Sequence, residues 1–312
     1  MIAYTLGAIA YVVMITMLVY RLVAVRDRKK WKKLTLFSLF IALGVLLFTY
    51  EGASPIAVVQ LILGMLIFNG MIPTYGSDIN FVYIAFGIVY ILVSYVMGLT
   101  LIAQAMLLGM LSEVAMMRDL KERIGNRRTE VRRDAVQMAA GAAIILLFYF
   151  LNINLASVVL LFIIMAGIFL VNMAKERKSE RISKLVYGLE RRNTALGLGA
   201  LWLALGVLIA ISFLGKPYII VVFAALFIGD SAATIVGVTY SGPKLPYNSH
   251  KSIAGSFVYF LATFAISFPI IGWLALPAAA LAAFVESLPW KLDDNFAVSL
   301  ALVAAFLAMA LI

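Results

Sequence analysis

Inside the apolar run from Tyr218 to Val238 stands one carboxylate, Asp230. A central Asp costs about 2.5 to 3.5 kcal/mol on membrane-insertion scales, so it needs a partner, a water-filled cavity or a metal. A structural pairing with a Ser, Thr or Lys of another helix would satisfy it, and so would a functional site. Gly229, Ala233 and Gly237 recur around it at intervals of four, giving one helix a face small enough for a second backbone to approach closely. Taken alone, that spacing is ordinary helix packing.

Two polar clusters follow Asp230. The first runs from Thr239 to Ser256 and has the parts of an anion cradle. Gly242 and Gly255 permit close backbone approach, and Lys251 brings a point charge. Ser252 and Ser256 sit at the start of the next helix, whose free amides favour phosphate. A solvated turn with a Ser cap would read the same way in isolation; its adjacency to Asp230 favours the cradle. The second cluster, Glu286 to Asn295, holds three carboxylates and an amide at a span boundary. Asp293, Asp294 and Asn295 form either an oxygen-ligand set for Mg2+ or a helix cap before Phe296. Glu286, at the end of an apolar run, is less easily read as a cap. With no Cys and a single His, His250, thiolate and multi-His metal sites are excluded, leaving oxygen ligands suited to Mg, Ca or Mn.

The elements that position these groups are membrane helices. Of the 312 residues 64% are hydrophobic and 13% charged, far from the globular average of about half apolar and a quarter charged. That excludes a soluble enzyme, a disordered chain and a collagen-like chain. A transmembrane barrel does not fit, because its strands alternate whereas these runs are continuously apolar. The expected fold is all-α, a polytopic bundle of nine to eleven spans: Ile2–Val25, Leu34–Tyr50, Pro55–Ile72, Phe81–Leu111, Ala135–Leu151, Leu155–Met173, Ala195–Leu214, Tyr218–Val238, Ser256–Trp273, Ala275–Leu288 and Phe296–Ile312. Met1–Val25 reads as a retained span, since it lacks a basic leader. Phe81–Leu111 would be about 46 Å long as one helix, and reads as a single tilted helix.

Lys and Arg fall in blocks. Twenty-one of the 25 lie in Arg21–Lys33, Arg118–Arg133 and Lys175–Arg192, the pattern of cytoplasmic loops beside anionic lipid. No nucleic-acid module is expected. Span parity places the later loops, through Glu286–Asn295, on the cytoplasmic side. Three spans between the first two basic blocks break that parity, which is met if Pro55–Ile72 is re-entrant or interfacial. Polar groups are sparse and unpatterned early in the chain, so residues 1–112 read as N-terminal helices of unassigned role and 113–312 as the catalytic domain.

The ordered set Gly229-Asp230-Ser231-Ala232-Ala233, Gly237, Gly242, Lys244-Leu245-Pro246, Lys251-Ser252, Gly255-Ser256, Glu286 and Asp293-Asp294-Asn295 resembles the CTP-dependent polyprenol kinases, the dolichol, phytol and farnesol kinase family. The likeness covers roughly Glu130 to Ile312. It implies transfer of the CTP γ-phosphate, with Mg2+, to the hydroxyl of a long isoprenoid alcohol at the cytoplasmic membrane face. Asp230 and Lys251 would then be the catalytic residues, Asp230 binding metal or orienting the hydroxyl. Lys244, Gly242, Ser252, Gly255 and Ser256 would hold nucleotide, and Asp293, Asp294, Asn295 and Glu286 would join Asp230 around metal. Phosphoryl transfer needs positioning and charge neutralisation more than a covalent nucleophile, which agrees with the residues present. Ala254 stands where the family's loop carries Glu, and Arg132 to Gln137 stands where it carries a basic stretch ending in His. These departures leave open a divergent member with altered substrate, or one with weakened catalysis. The sequence also admits a CTP-dependent cytidylyltransferase making a CDP-lipid, and a transporter relaying protons through Asp230 and Glu286.

Overall fold

The computed structural model describes residues 55–70, 79–94, 99–117, 127–175, 179–190, 196–240, 242–289 and 292–311. The expected spans Ile2–Val25 and Leu34–Tyr50, and the first basic block, lie outside them. The described residues are overwhelmingly helical: α1 (Pro55–Gly70), α2 (Ile79–Ser94), α3 (Leu99–Met117), α4 (Arg127–Phe150), α5 (Ile153–Lys175), α6 (Glu180–Gly188), α7 (Leu198–Phe213), α8 (Lys216–Phe223), a π-helical segment (Ala224–Gly229), α9 (Asp230–Thr239), α10 (Ile253–Ile271), α11 (Ala275–Ser287) and α12 (Asp294–Ala310). Among the described residues, four stretches are long and apolar enough to cross a membrane: Val131–Phe150, Ile153–Lys175, Lys216–Thr239 and Ile253–Ser287. In hydrocarbon a helix is the form in which a lone segment satisfies its own backbone, which accounts for the all-α architecture.

Two expectations change. The run Phe81–Leu111 is not one tilted helix; it contributes to two, α2 and α3, and α1 packs against both. Continuous apolarity hides such a division, because hydropathy is blind to the register in which neighbouring helices dock. The polar stretch after α9 is not wholly loop either. Lys244–Leu245 (β1) pairs antiparallel with Asn248–Ser252 (β2), with Lys244 opposite Ser252 and Leu245 opposite Asn248.

Ile253–Ser287 does not run straight. At Gly272 φ is 59° and ψ −142°, a backbone region open essentially to Gly alone. A single 3-10 turn follows, and α11 packs back along α10. The face of α11 that packs is Ala275, Ala278, Ala279, Ala282 and Ala283, all buried, with the three- and four-residue steps of one helix face. Small side chains let membrane helices approach where no hydrophobic force drives them together.

The helix carrying Asp230 is anchored along its length. At its start Lys216 donates from Nζ to the carbonyls of Tyr149 and Leu151, 3.0 and 2.9 Å away, capping the end of α4. Midway, Phe148, Phe223 and Phe227 meet edge to face, with centroids 5.1 and 5.9 Å apart. Gly141 of α4 lies so close to Phe227 that any side chain there would overlap its ring.

Candidate active site

Asp230 begins α9 directly after the π-helical segment, an irregularity that tends to accompany functional sites. The residue is 7% exposed, and its carboxylate accepts from Nε2 of Gln137 on α4 at 3.3 Å; the same nitrogen lies 3.2 Å from the carbonyl of Leu226. The buried charge thus has a hydrogen-bond partner from another helix, as a buried polar group requires. Sequence reasoning noted Gln137 only as a departure from a family pattern. Nothing local marks a contact made across 93 residues.

The small face of this helix receives α10. A Cβ at Gly229 would lie 2.5 Å from Oγ1 of Thr263, and one at Gly255 would lie 3.2 Å from the carbonyl oxygen of Ala233. The spacing of Gly229, Ala233 and Gly237 is therefore a packing device, and it brings the start of α10 beside α9. There Ser252 caps α10, accepting from the amide of Gly255 at 3.0 Å.

At the same end of the bundle three elements converge: β2 supplies Lys251, the end of α11 supplies Glu286, and the start of α12 supplies Asp294. The Lys251 ammonium donates to Oε1 of Glu286 and to Oδ2 of Asp294, the latter at 2.7 Å. Burial pulls the Lys251 pKa down, but the carboxylates of Glu286, Asp294 and Asp230 more than offset it, holding the group well above the ordinary lysine value. The second oxygen of Glu286, Oε2, is buried without a hydrogen-bond partner, as is Oγ of Ser256.

These residues surround a polar cleft of roughly 310 Å³, lined by Thr234, Lys244, Lys251, Ser252, Ser256 and Glu286 together with Ala233, Gly237, Val238, His250 and Gly255. Of the expected site residues, Lys244, Lys251, Ser252, Gly255, Ser256 and Glu286 line it, and Asp294 reaches it through Lys251. Asp230 faces Gln137 and acts on Lys251 through its charge. Gly242 packs against Tyr240. Asp293 is the cap of α12, its Oδ1 accepting from the Asn295 amide at 3.1 Å, and Asn295 is buried beneath. No preassembled group of three or more His, Asp or Glu ligands exists among the described residues.

Two further features escaped the sequence. His250 lines the cleft. The β1–β2 hairpin is pinned to the end of α11, because the side-chain amide of Asn248 donates to the Ser287 carbonyl at 2.9 Å and the Tyr247 hydroxyl lies 2.8 Å from Oγ of Ser287. This clamp seats Lys251 against Glu286, and no motif announces it.

No family model and no solved structure matches the chain significantly. It is 36% identical over 107 residues to probable phytol kinase 1 of Glycine max, covering 28% of this chain and 35% of that protein. It is 34% identical over 123 residues to the chloroplastic farnesol kinase of Arabidopsis thaliana, covering 33% and 39%. An uncharacterised protein of Methanocaldococcus jannaschii is 31% identical over 138 residues, covering 42% of this chain and 69% of that protein. The chain spans less than half the length of the named plant kinases it matches. Over the matched residues, these relatives and the site motifs support membership of the polyprenol kinase family that includes the phytol and farnesol kinases.

Proposed function

We propose that this protein is an integral membrane kinase that transfers the γ-phosphate of CTP to the hydroxyl of a long-chain isoprenoid alcohol of the polyprenol, phytol or dolichol type. The observation that carries the reading is Lys251 held between Glu286 and Asp294 on the wall of the polar cleft. An anionic donor needs such a cation, and the carboxylates that hold it are hard oxygen donors.

The residues fit Mg2+. Glu286 has a buried oxygen with no protein partner, Asp294 presents a second carboxylate, and nucleotide phosphates ordinarily complete the coordination of this ion. Asp230 and Asn295 stand close in charge or chain as the remaining oxygen donors. When bound, the ion neutralises phosphate charge. Lys251 and Lys244 bind phosphate oxygens at the cleft wall, and the Ser252–Ser256 turn offers amides and the Ser256 hydroxyl. Asp230, oriented by Gln137, holds the substrate hydroxyl and takes its proton. The alcohol oxygen forms its bond to the γ-phosphorus as the bond from that phosphorus to the bridging oxygen breaks, and CDP leaves.

The same reading places the cleft on the cytoplasmic face of a bundle of nine to eleven spans, with residues 113–312 as the catalytic part. Purified protein is incubated with labelled CTP, Mg2+ and a panel of prenols. CDP and a prenyl phosphate are expected, and both are lost in Asp230→Ala and Lys251→Ala. Diphosphate and a CDP-lipid would instead identify a cytidylyltransferase, and ion flux in proteoliposomes without nucleotide turnover would identify a transporter.

A further inference from the structure

A second cavity, of roughly 230 Å³, lies between α4, α5, α7 and the π-helical segment. Its character is opposite to that of the cleft. Asn172 and Lys175, near the end of α5, are its only lining residues with polar side chains; the rest is aliphatic apart from Phe227.

Two relationships connect this cavity to the polar site. On α4, Gln137, Ala140 and Ile144 follow at steps of three and four and so share one helix face. Gln137 holds Asp230, while Ala140 and Ile144 line the cavity. On the opposing helix, Phe227 lines the cavity three residues before Asp230. The face that presents Asp230 thus continues into an apolar chamber. A Cβ on Gly167, an exposed residue in the α5 wall, would meet no atom within 4 Å, so a larger side chain there fits without overlap. Gly141 and Gly229, by contrast, sit where a second element closes on them.

We propose that this cavity holds the hydrocarbon chain of the alcohol whose hydroxyl Asp230 receives, and so determines which chain lengths are accepted. The proposal rests on the lipid-alcohol kinase reading above and adds where the chain lies. An occupant here is apolar along its length, and on the kinase reading its hydroxyl lies toward Gln137 and Asp230, which share the α4 face that lines the cavity, as in a prenol. Chains longer than the chamber must leave it for the bilayer.

The test uses the full-length protein with Gly167→Leu and Ala204→Leu, which fill the chamber from α5 and from α7, and each variant's folding is checked by its thermal melt in detergent. The ratio of kcat/KM for a C20 prenol to that for a C10 prenol is expected to fall at least about tenfold, the order that fit of a few methylenes in an apolar pocket commands, with KM for CTP unchanged. A C20 prenol carrying a diazirine in its tail supplies a readout independent of turnover. It should label peptides of α4, α5 and α7 in the wild type and lose that labelling in Gly167→Leu. An unchanged ratio in two folded variants, or labelling confined to other helices, overturns the assignment. Labelling of the chamber without phosphate transfer to any prenol keeps the chain site and removes the kinase reading instead.

Discussion

The amide of Gln137 donates to the carboxylate of Asp230 at 3.3 Å while also lying 3.2 Å from the Leu226 carbonyl. One side chain from α4 therefore fixes both the buried acid and the turn of helix that delivers it.

Gln137→Leu should keep the helices packed but leave Asp230 without its partner. We expect kcat to fall by about one to two orders of magnitude with a small change in KM for CTP, the pattern of a lost orienting interaction. Asp230→Asn, which keeps the shape and removes the charge, should fall further, and Gln137→Glu should be as damaging because it sets a like charge beside Asp230. Steady-state kinetics with a prenol in detergent decide the order.

Lys251→Ala leaves Glu286 and Asp294 facing one another across the cleft wall. Removing one partner of a largely buried pair is destabilising, so its melting temperature should drop and activity should vanish. Adding Glu286→Gln should recover part of the stability and none of the activity. A double-mutant cycle on thermal unfolding measures the recovered fraction.

The raised pKa of Lys251 carries a sign. A cation stabilised in the folded state contributes fully below its unfolded pKa of about 10.4 and loses that contribution as pH rises through the higher folded value. The gap in melting temperature between wild type and Lys251→Ala should therefore stay flat from pH 8 to 10 and narrow only above that. A gap that closes below pH 9 would contradict the ion pairs.

Asn248→Ala cuts the hairpin from the Ser287 carbonyl and leaves a buried acceptor unpaired, a loss of about 1 to 3 kcal/mol. Because the hairpin carries Lys251, KM for the nucleotide should rise more than kcat falls. Tyr247→Phe, which removes a half-exposed hydroxyl contact, should be milder in both respects.

Gly229→Ala would place a methyl group 2.5 Å from the Thr263 hydroxyl and force α10 away from the π-helical segment. Overpacking of this kind costs about 1 to 3 kcal/mol. Thr263→Ala should restore much of it, as thermal melts of the single and double variants would show.

Much of this architecture is legible in the chain itself. Asp230 stands out because an acid in an apolar run is rare, and the four-residue spacing around it does mark a close helix contact. The long apolar helices α5 and α7 to α12 begin and end within a few residues of the expected spans, since apolar length sets them, whereas α4 begins earlier, at Arg127, and the short α6 is not among the expected spans. What escapes is long-range or cooperative. The Gln137–Asp230 hydrogen bond joins distant segments, the hairpin depends on where Ser287 ends α11, and the division of Phe81–Leu111 depends on how α1 packs. Asp293 illustrates an ambiguity that local sequence leaves open: a ligand and a helix cap use the same carboxylate, and here it caps α12.

The π-helical turn before Asp230 has a consequence for phase. Such a turn amounts to one residue added to an α-helix, so every side chain beyond it is rotated about 100° from where an uninterrupted α-helix would point it. Deleting a single residue from Ala224–Gly229 would leave the helix whole and apolar yet swing Asp230 away from Gln137. The position of Asp230 thus depends on an angular offset, one that a count of apolar residues passes over.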